Sequence, residues 1–482
     1  MLSGASLLGM AGAAFFDLDR TLLMGASGPA ISVALREAGV VTAPKIPGEG
    51  LVFKVFDVIG ETIPAMLLTR QAARMAKGWD QATVQAAAKN AADELIDRVL
   101  PYARLLIAQH RAEGRPVVMA TTTPVDLVTP LADLLELDDV VATRYGVDGN
   151  GGYDGTIDGE FVWGPGKLAA VRAWAEPRGI LLRDSFAYSD SFYDIPLLAA
   201  VGHPTAVNPD LRLAAVATVR RWPTLHLDVP PGVPKLGGLE PQHVLQAFAR
   251  PELFPFARFH IEGVEHIPSK GGGLVCGNHR SYFDPLVMAM TLSQKGRPVR
   301  FLGKKEVFDA PVVGQIAKAM GGIRVDRGTG SDEPLEAAAD ALSAGQLVAL
   351  MPQGTIPRGP AFFDPELQGR WGAARLAAKT RVPVIPVGLW GTEKVWPRNA
   401  RVPNVLNITD PPEITVRVGP QVELTYEDDD ADTKSIMAAI VDLLPAEART
   451  YREPTGEELA RTYPSGWTGD PDTESERRPG SD

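Results

Sequence analysis

The apolar positions of this chain come in short, nearly unbroken runs that stop on polar side chains. Ala13 to Phe16 stops on Asp17, "PVVMAT" (116–121) runs into three threonines, and "SFAYSD" (185–190) stops on Asp190. Further on come "GGLVCGN" (272–278), "RFLGK" (300–304), "LVALMP" (347–352) and "VPVIPVG" (382–388). Apolar runs without alternation predict strands buried on both faces, as in parallel sheets. The intervening residues are helical in spacing, above all a long region at about 28–112. Strand therefore alternates with helix in both halves, and each half reads as an α/β unit. Prolines and glycines crowd "HLDVPPGVPKLGGLEPQ" (226–242) and erase any period, which marks the boundary between the halves. The acidic run "EDDDADTK" (427–434) predicts a capped helix start. The polar, Pro/Gly-rich end predicts disorder.

Composition adds bounds. A chain of 482 residues is too long for one ordinary core, so two or three domains are expected. Hydrophobic content of 45% and charged content of 22% belong to a soluble globular protein. A net charge of −11 argues against nucleic acid as a partner. The single cysteine, Cys276, excludes an internal disulfide. The first sixteen residues are uncharged but lack the basic start of a signal peptide, so they read as a short tail entering a buried strand. No uncharged apolar run reaches the length of a membrane span. Residues 253–328 depart from the overall acidity, with eleven Lys and Arg against six acids. The bland reading is surface variation; the functional one is a phosphate or anionic-membrane face.

The polar residues at the strand ends carry the candidate chemistry. Asp17 and Asp19 follow the first strand, Thr121 ends the second, Lys167 opens a helix, and Asp190 and Asp194 follow another strand. Alone, an Asp-x-Asp pair is a common turn or cap. Together the set serves phosphoryl transfer. A carboxylate nucleophile needs Mg²⁺ beside an anionic phosphate. A second acid protonates the leaving oxygen. A hydroxyl and a lysine hold phosphoryl oxygens, and further acids hold the metal. In these four motifs, in order over residues 13–220, the chain resembles the haloacid dehalogenase-like phosphatases, in the phosphoserine-phosphatase-like branch. The resemblance implies a Rossmann-like fold with a helical cap. It implies Asp17 as nucleophile and Asp19 as general acid/base. Thr121 and Lys167 would bind phosphate, Asp17, Asp19 and Asp190 would bind Mg²⁺, and Asp194 would support metal and lysine. Ser189 stands where glycine is common in the last motif. The cap stretch "LVFKVFDVIGETIPAMLL" (51–68) is broadly apolar, which reads first as core packing and more sharply as lipid contact.

In the back half, "NHRSYFDP" (278–285) places His279 five residues before Asp284. Residues five apart on a helix lie roughly 140° out of line, so the two can pair only across a turn or a loop-to-helix junction. A buried aspartate there would fix the imidazole tautomer and free the other nitrogen as a base. "GGIRVDRG" (321–328), "LMPQGTIPRG" (350–359) and "VPVIPVGLWG" (382–391) follow. In order, these blocks resemble those of the glycerolipid acyltransferases that acylate lysophosphatidate, over about 253–445. The resemblance implies an α/β acyltransferase fold and a His279/Asp284 base that activates a lipid hydroxyl toward acyl-CoA or an acyl carrier protein. It implies substrate contacts from Asn278, Arg327, Gln353, Gly354, Thr355 and Arg358. The third block departs from the family's Glu-Gly-Thr-Arg, with Gln353 and Ile356 at the charged positions and Arg358 as a replacement guanidinium. A rival Cys276/His279 nucleophile pair is the lesser reading, since cysteine in an apolar strand is usually a small buried hydrophobe.

The expected organisation is a phosphatase domain at 1–225 with a cap at about 25–112, a linker at 226–252, an acyltransferase domain at 253–450 and a disordered tail at 451–482. The expected function is a bifunctional phospholipid-metabolism enzyme, cytoplasmic, touching the anionic membrane face through "PELFPFARFHIEG" (251–263) and the basic stretch. Two alternatives stand beside it. One is a phosphatase on an unrelated phosphomonoester such as phosphoserine, with a weak or non-catalytic acyltransferase half. The other is a scaffold in which one half binds without turnover.

Overall fold

The computed structural model describes residues 12–41, 63–235, 238–246, 248–311, 313–325 and 333–469. The chain divides into two units, Met1–Pro231 and Gly232–Asp482.

The first unit is built on seven strands: β1 (Ala14–Phe16), β2 (Val117–Pro124), β3 (Asp139–Val147), β4 (Tyr153–Asp158), β5 (Phe186–Ser189), β6 (His203–Val207) and β7 (Thr224–Leu225). Their order is β4-β3-β2-β1-β5-β6-β7, parallel except for the antiparallel β3–β4 pair. β1 lies at the centre, with Phe16 opposite both Met119 and Tyr188. It is buried throughout, which is why it reads as an uninterrupted apolar run. Phe15 packs with Val118, Val171, Leu198 and Leu213 in a core on one face. A fully buried aromatic contributes about 2–3 kcal/mol of burial free energy. Between β1 and β2 stand the helices Gly28–Glu37, Ile63–Met75, Gln81–Leu95 and Pro101–Ala112. Asp80 caps the third by accepting from Thr83 N at 2.8 Å, and that helix packs on Gly28–Glu37 and Val125–Leu134. Most of the apolar stretch 51–68 lies outside the described residues, as do residues 1–11.

The second unit also has seven strands: β8 (Arg258–Glu262), β9 (Gly273–Gly277), β10 (Val299–Lys304), β11 (Ile323–Val325), β12 (Leu347–Leu350), β13 (Val384–Trp390) and β14 (Glu413–Val418). Their order is β11-β10-β12-β9-β13-β14-β8. Only β13 and β14 run antiparallel. β9 is central and packed on both faces. Val275 joins one apolar cluster with Val287, Leu347 and Val387, while Leu274 and Cys276 join another with Leu376 and Ile436. The acidic run does open a helix: Asp428 accepts from Asp430 N and Ala431 N at the start of Asp429–Leu443.

Two boundary expectations need correction. The expected linker 226–252 is taken into structure from both sides. Leu227 is 4% exposed and its carbonyl accepts from Tyr102 N. Glu240 pairs with buried Arg300 at 2.6 Å, and Gln242 accepts from Val299 N at 2.8 Å. Sequence counting sees prolines and glycines there but not the partners of Glu240 and Gln242, which lie 57 to 60 residues away. The expected disordered tail is also too long. Thr455 and Glu458 form a reciprocal capping box that opens a helix at Gly456–Thr462, and Thr462 is buried. Among the described residues, no helix is long and apolar enough to cross a membrane.

Candidate active sites

In the first unit, the parallel register sets Asp17 just past β1 and Asp190 just past the neighbouring β5. Lys167 enters from the first turn of the helix Pro165–Ala175 and is 1% exposed. Its ammonium bonds Asp17 Oδ1 at 2.7 Å and Asp194 Oδ2 at 2.6 Å. Ser189, the departure from glycine, is put to use: its hydroxyl donates to Asp194 Oδ2 at 2.7 Å. Asp19 accepts from Ser27 N at 2.7 Å. Burial pushes the Asp19 carboxyl above the ordinary range, against the hydrogen bonds of Ser27 and the charges of Arg98 and Lys167. A carboxyl held toward its protonated form suits a proton donor. Thr121 lies within β2, just before its register shift, and is 3% exposed, its hydroxyl accepting from Thr123 N at 3.3 Å.

One residue escaped the sequence reading. Arg20 has a left-handed backbone (φ 59°), and its Nε lies 3.2 Å from Asp190 Oδ2. Its only signal was adjacency to Asp19, which says nothing of the left-handed turn.

Hard oxygen donors of the kind Mg²⁺ takes are present: Lys167 bridges Asp17 and Asp194, and buried Asp194 Oδ1 finds no hydrogen-bond partner among the described residues, where no three acidic side chains converge closely enough to hold a metal by themselves. Asp17, the Asp19 carbonyl and Asp190 would hold the ion, with Arg20 moving off Asp190.

In the second unit, β9 runs into a loop and then the helix Asp284–Ser293. His279 is on the loop and Asp284 is the first helical residue, so the pair does span a loop-to-helix junction. Asp284 is fully buried. Its Oδ2 accepts from His279 Nδ1 at 2.8 Å, Arg280 N at 2.6 Å and Ser281 N at 2.8 Å. Its Oδ1 accepts from the Thr392 hydroxyl at 2.5 Å. Four donors and a helix N-terminus stabilise the carboxylate. The proton on His279 then resides on Nδ1, leaving Nε2 as the basic nitrogen.

Gln353 Oε1 accepts from His279 N at 2.7 Å. The residue expected to touch substrate thus holds the backbone of His279. Gly354 follows with φ 71°, a conformation natural to glycine. Thr355 accepts from Lys304 Nζ at 3.3 Å, which brings in a lysine the sequence reading counted only as charge. Ile356 is buried, so its side chain belongs to the core and not to an anion site. Arg398 bonds the Ile356 carbonyl, and the Arg358 guanidinium lies 5.3 Å from the Trp467 ring centroid. Arg327 lies outside the described residues.

Asn278 needs correction. It is 1% exposed, donates to Leu389 O at 2.9 Å and accepts from Leu389 N at 2.7 Å. Its buried amide ties the end of β9 to β13, so these bonds are structural ones. Cys276 is fully buried in β9, and burial pushes its thiol up, away from the nucleophilic thiolate.

Comparison with known proteins agrees with this division. The haloacid dehalogenase-like hydrolase family matches residues 14–199, and the acyltransferase family matches residues 258–390. The inhibition of morphological differentiation protein of Streptomyces azureus is 34% identical over 45% of this chain and 79% of its own length. Phosphoserine phosphatase SerB1 of Mycobacterium tuberculosis is 33% identical over 44% of this chain and 69% of its own. Among solved structures, the 1-acyl-sn-glycerophosphate acyltransferase PlsC of Thermotoga maritima aligns over 42% of this chain and 78% of its own, at 20% identity and a TM-score of 0.32. The chain belongs to the haloacid dehalogenase-like hydrolases through its first unit and joins to it, in the second, a domain of the acyltransferase family.

Proposed function

We propose that this chain is a bifunctional enzyme of phospholipid metabolism, acylating a lysophospholipid such as 1-acylglycerol-3-phosphate and hydrolysing a phosphomonoester. The observation that carries the first activity is the Asp284 carboxylate saturated by His279, two loop amides and Thr392. His279 Nε2 takes the proton of the acceptor hydroxyl. The oxygen attacks the thioester carbon of acyl-CoA or an acyl carrier protein, and the tetrahedral adduct collapses with loss of the thiolate. Asp284 stabilises the imidazolium formed on the way. Arg358, with Lys304 at the end of β10 reaching Thr355 of the same loop, draws the acceptor's phosphate. In the first unit, Asp17 attacks phosphorus to give an aspartyl-phosphate as Asp19 protonates the leaving oxygen; water, giving its proton back to Asp19, then attacks phosphorus and frees Asp17 and inorganic phosphate, with Lys167 holding a phosphoryl oxygen throughout. Mg²⁺, when bound, neutralises charge between nucleophile and phosphate.

Exposed Val307, Val313 and Ile316 lie in the basic stretch beside Lys305 and Lys318, which supports peripheral docking on an anionic bilayer. Flotation with anionic but not neutral vesicles is the expected result; no flotation with either sinks that part. The relation to a phosphoserine phosphatase favours a second reading, in which the first unit takes a small phosphomonoester unrelated to the lipid. The deciding experiment supplies labelled acyl-CoA or acyl carrier protein, a panel of lysophospholipids, phosphoserine and Mg²⁺, and follows acylated lipid and released phosphate. Acylation lost only in His279→Ala is the expected result. Phosphate release from lipids, lost only in Asp17→Asn, favours the coupled lipid enzyme. Release from phosphoserine alone favours the second reading. No acylation with either donor overturns the acyltransferase assignment.

A further inference from the structure

Past residue 390, where the acyltransferase family match ends, the chain makes a long excursion before β14 begins at Glu413. Its tip is the densest apolar exposure among the described residues: Val402, Val405, Leu406 and Ile408 all stand in water, Leu406 at 87%. Four large aliphatic side chains exposed within seven residues mark an interaction surface, where a single one would mean nothing. The excursion has a defined shape. Asn404 N donates to Val395 O at 2.9 Å, Ile408 N to Leu406 O at 2.9 Å, and the Asn407 amide to Asp410 O at 2.7 Å. Its root is tied to the segment of the catalytic base. Trp396 O accepts from the Ser281 hydroxyl at 2.7 Å, and the Trp396 ring meets that of Tyr282 edge-on, with centroids 5.7 Å apart. Arg398 bonds the carbonyl of Ile356, in the loop whose Gln353 holds His279 N. Charge completes the pattern. From residue 394 to 409 the chain has Lys394, Arg398 and Arg401 and no acid, against a net charge of −11 for the whole. Lys394 and Arg401 are exposed.

We propose that residues 402–408 are a bilayer-inserting loop, which sinks Val402, Val405, Leu406 and Ile408 among lipid chains while Lys394 and Arg401 meet anionic headgroups. Aliphatic side chains gain by leaving water for the acyl region, and cations beside them gain from the negative surface potential. Because the loop is rooted on Ser281 and on the Ile356 segment, insertion brings the His279 loop to the surface where lysophospholipid acceptors reside. The inference rests on the bilayer-docking reading above and names a segment that enters the lipid; its test keeps the two apart.

The native Cys276 is fully buried, so a polarity-sensitive thiol dye can be placed on Leu406→Cys and, as a control, on Val219→Cys, exposed in the first unit. The full chain is mixed with vesicles of phosphatidylglycerol and phosphatidylcholine, with and without lipids spin-labelled on the acyl chain. Flotation reads binding, and quenching of the dye reads insertion. A blue shift and quenching at position 406, with neither at 219, is the expected result. Leu406→Ser combined with Ile408→Ser is expected to lower the vesicle partition coefficient about thirtyfold, and Arg401→Gln about fivefold. Both leave thermal unfolding unchanged, and acyl transfer to a short-chain, monomeric lysophosphatidate within about twofold. Flotation without quenching at 406 overturns the loop and leaves docking to another face, as does an unchanged partition coefficient in the double variant. A blue shift at 406 that needs no lipid and grows with protein concentration overturns it in favour of a second copy of the chain. Quenching at 406 in a protein that acylates nothing upholds the loop while the acyltransferase reading fails. A wild type that floats with no vesicle overturns both loop and docking.

Discussion

The two sites hold a comparable number of polar groups but assemble them in opposite ways. The phosphatase-type site draws its groups from β1, β2, a helix start and the end of β5, and knits them with charge: one buried ammonium between two carboxylates, one guanidinium on a third. The acyltransferase-type site lies mostly within six consecutive residues, 279–284. Its single carboxylate is satisfied by an imidazole, two amides and a hydroxyl. A site knit by charges is stable only with its full complement, since removing one ion strands another away from water. A site knit by hydrogen bonds from neutral donors loses less when one is removed. The difference teaches where each unit is vulnerable, and it can be broken by substitution.

The largest expected effect is on turnover. Asp17→Asn lowers phosphate release on the order of 10⁴-fold or more, leaving acyl transfer unchanged. Asp284→Asn does the reverse, lowering acyl transfer about 10⁴-fold by upsetting the tautomer of His279. Steady-state rates of both reactions on each purified variant check this crossing. A variant that loses both activities would show that the sites are not independently built.

The next effect is on stability and sharpens the contrast between the two kinds of knitting. Lys167→Met leaves Asp17 and Asp194 without their shared cation, and is expected to destabilise the protein by about 4 kcal/mol at pH 7.5 in EDTA. His279→Ala removes one hydrogen bond to Asp284 and costs about 1 kcal/mol. The Lys167→Met deficit shrinks at pH 5, where a stranded carboxylate can take up a proton. Urea unfolding of both variants at both pH values measures the difference. Equal losses would refute it.

How much of this could be read in advance depended on separation along the chain. The strands β1, β2, β5, β9, β12 and β13 were legible because full burial leaves uninterrupted apolar runs. The His279–Asp284 pair was legible because five residues of spacing leave it little geometric choice. The partners of Glu240 and Gln242 were not, and a stretch counted as linker turned out to be core. Nor was the reach of Gln353 back to the His279 amide, 74 residues away. Asn278 was misread because a motif gives residue type, and its strapping of Leu389 depends on strand order. Arg20 was missed because its ion pair follows from a left-handed turn that no neighbouring residue announces.

A smaller effect comes from a cluster behind the phosphatase-type site. His110 is 2% exposed, and its Nε2 lies 2.8 Å from the Tyr188 hydroxyl. Arg115 Nε donates to its Nδ1 at 2.8 Å, so the ring proton resides on Nε2. Burial first, then the Arg115 charge, against the opposing pull of Glu113, lower its pKa from 6.5 to about 4. In acid the unfolded chain takes up a proton that the folded chain refuses. The contribution of His110 is therefore complete above pH 6.5 and lost as the pH falls toward 4. From pH 7.5 to pH 5 the loss is about 2 kcal/mol. Chemical denaturation of His110→Gln, which does not titrate, should show a pH slope reduced by that amount. An unchanged slope would show that His110 charges freely in the folded state.

The smallest effect bears on the residue where this chain leaves its acyltransferase relatives. Gln353 retains the one feature that its position demands, an oxygen facing the His279 amide. A glutamate would supply the same acceptor and add a negative charge near the imidazole. Gln353→Glu is therefore expected to keep acyl transfer within about threefold, and to shift its rising pH limb upward as the charge stabilises the imidazolium. Gln353→Leu leaves a buried amide hydrogen without a partner, which costs about 1–3 kcal/mol of local order. If half of that is felt at the base, kcat falls about two- to tenfold with the donor KM unmoved. The pair of variants separates two meanings of the amide. If Glu is tolerated and Leu is not, the position serves to hold His279, and the missing charge is no sign of lost chemistry. If Gln353→Glu instead raises acyl transfer by orders of magnitude, the amide marks a weakened site, and the contrast with the phosphatase unit is one of activity as well as of construction.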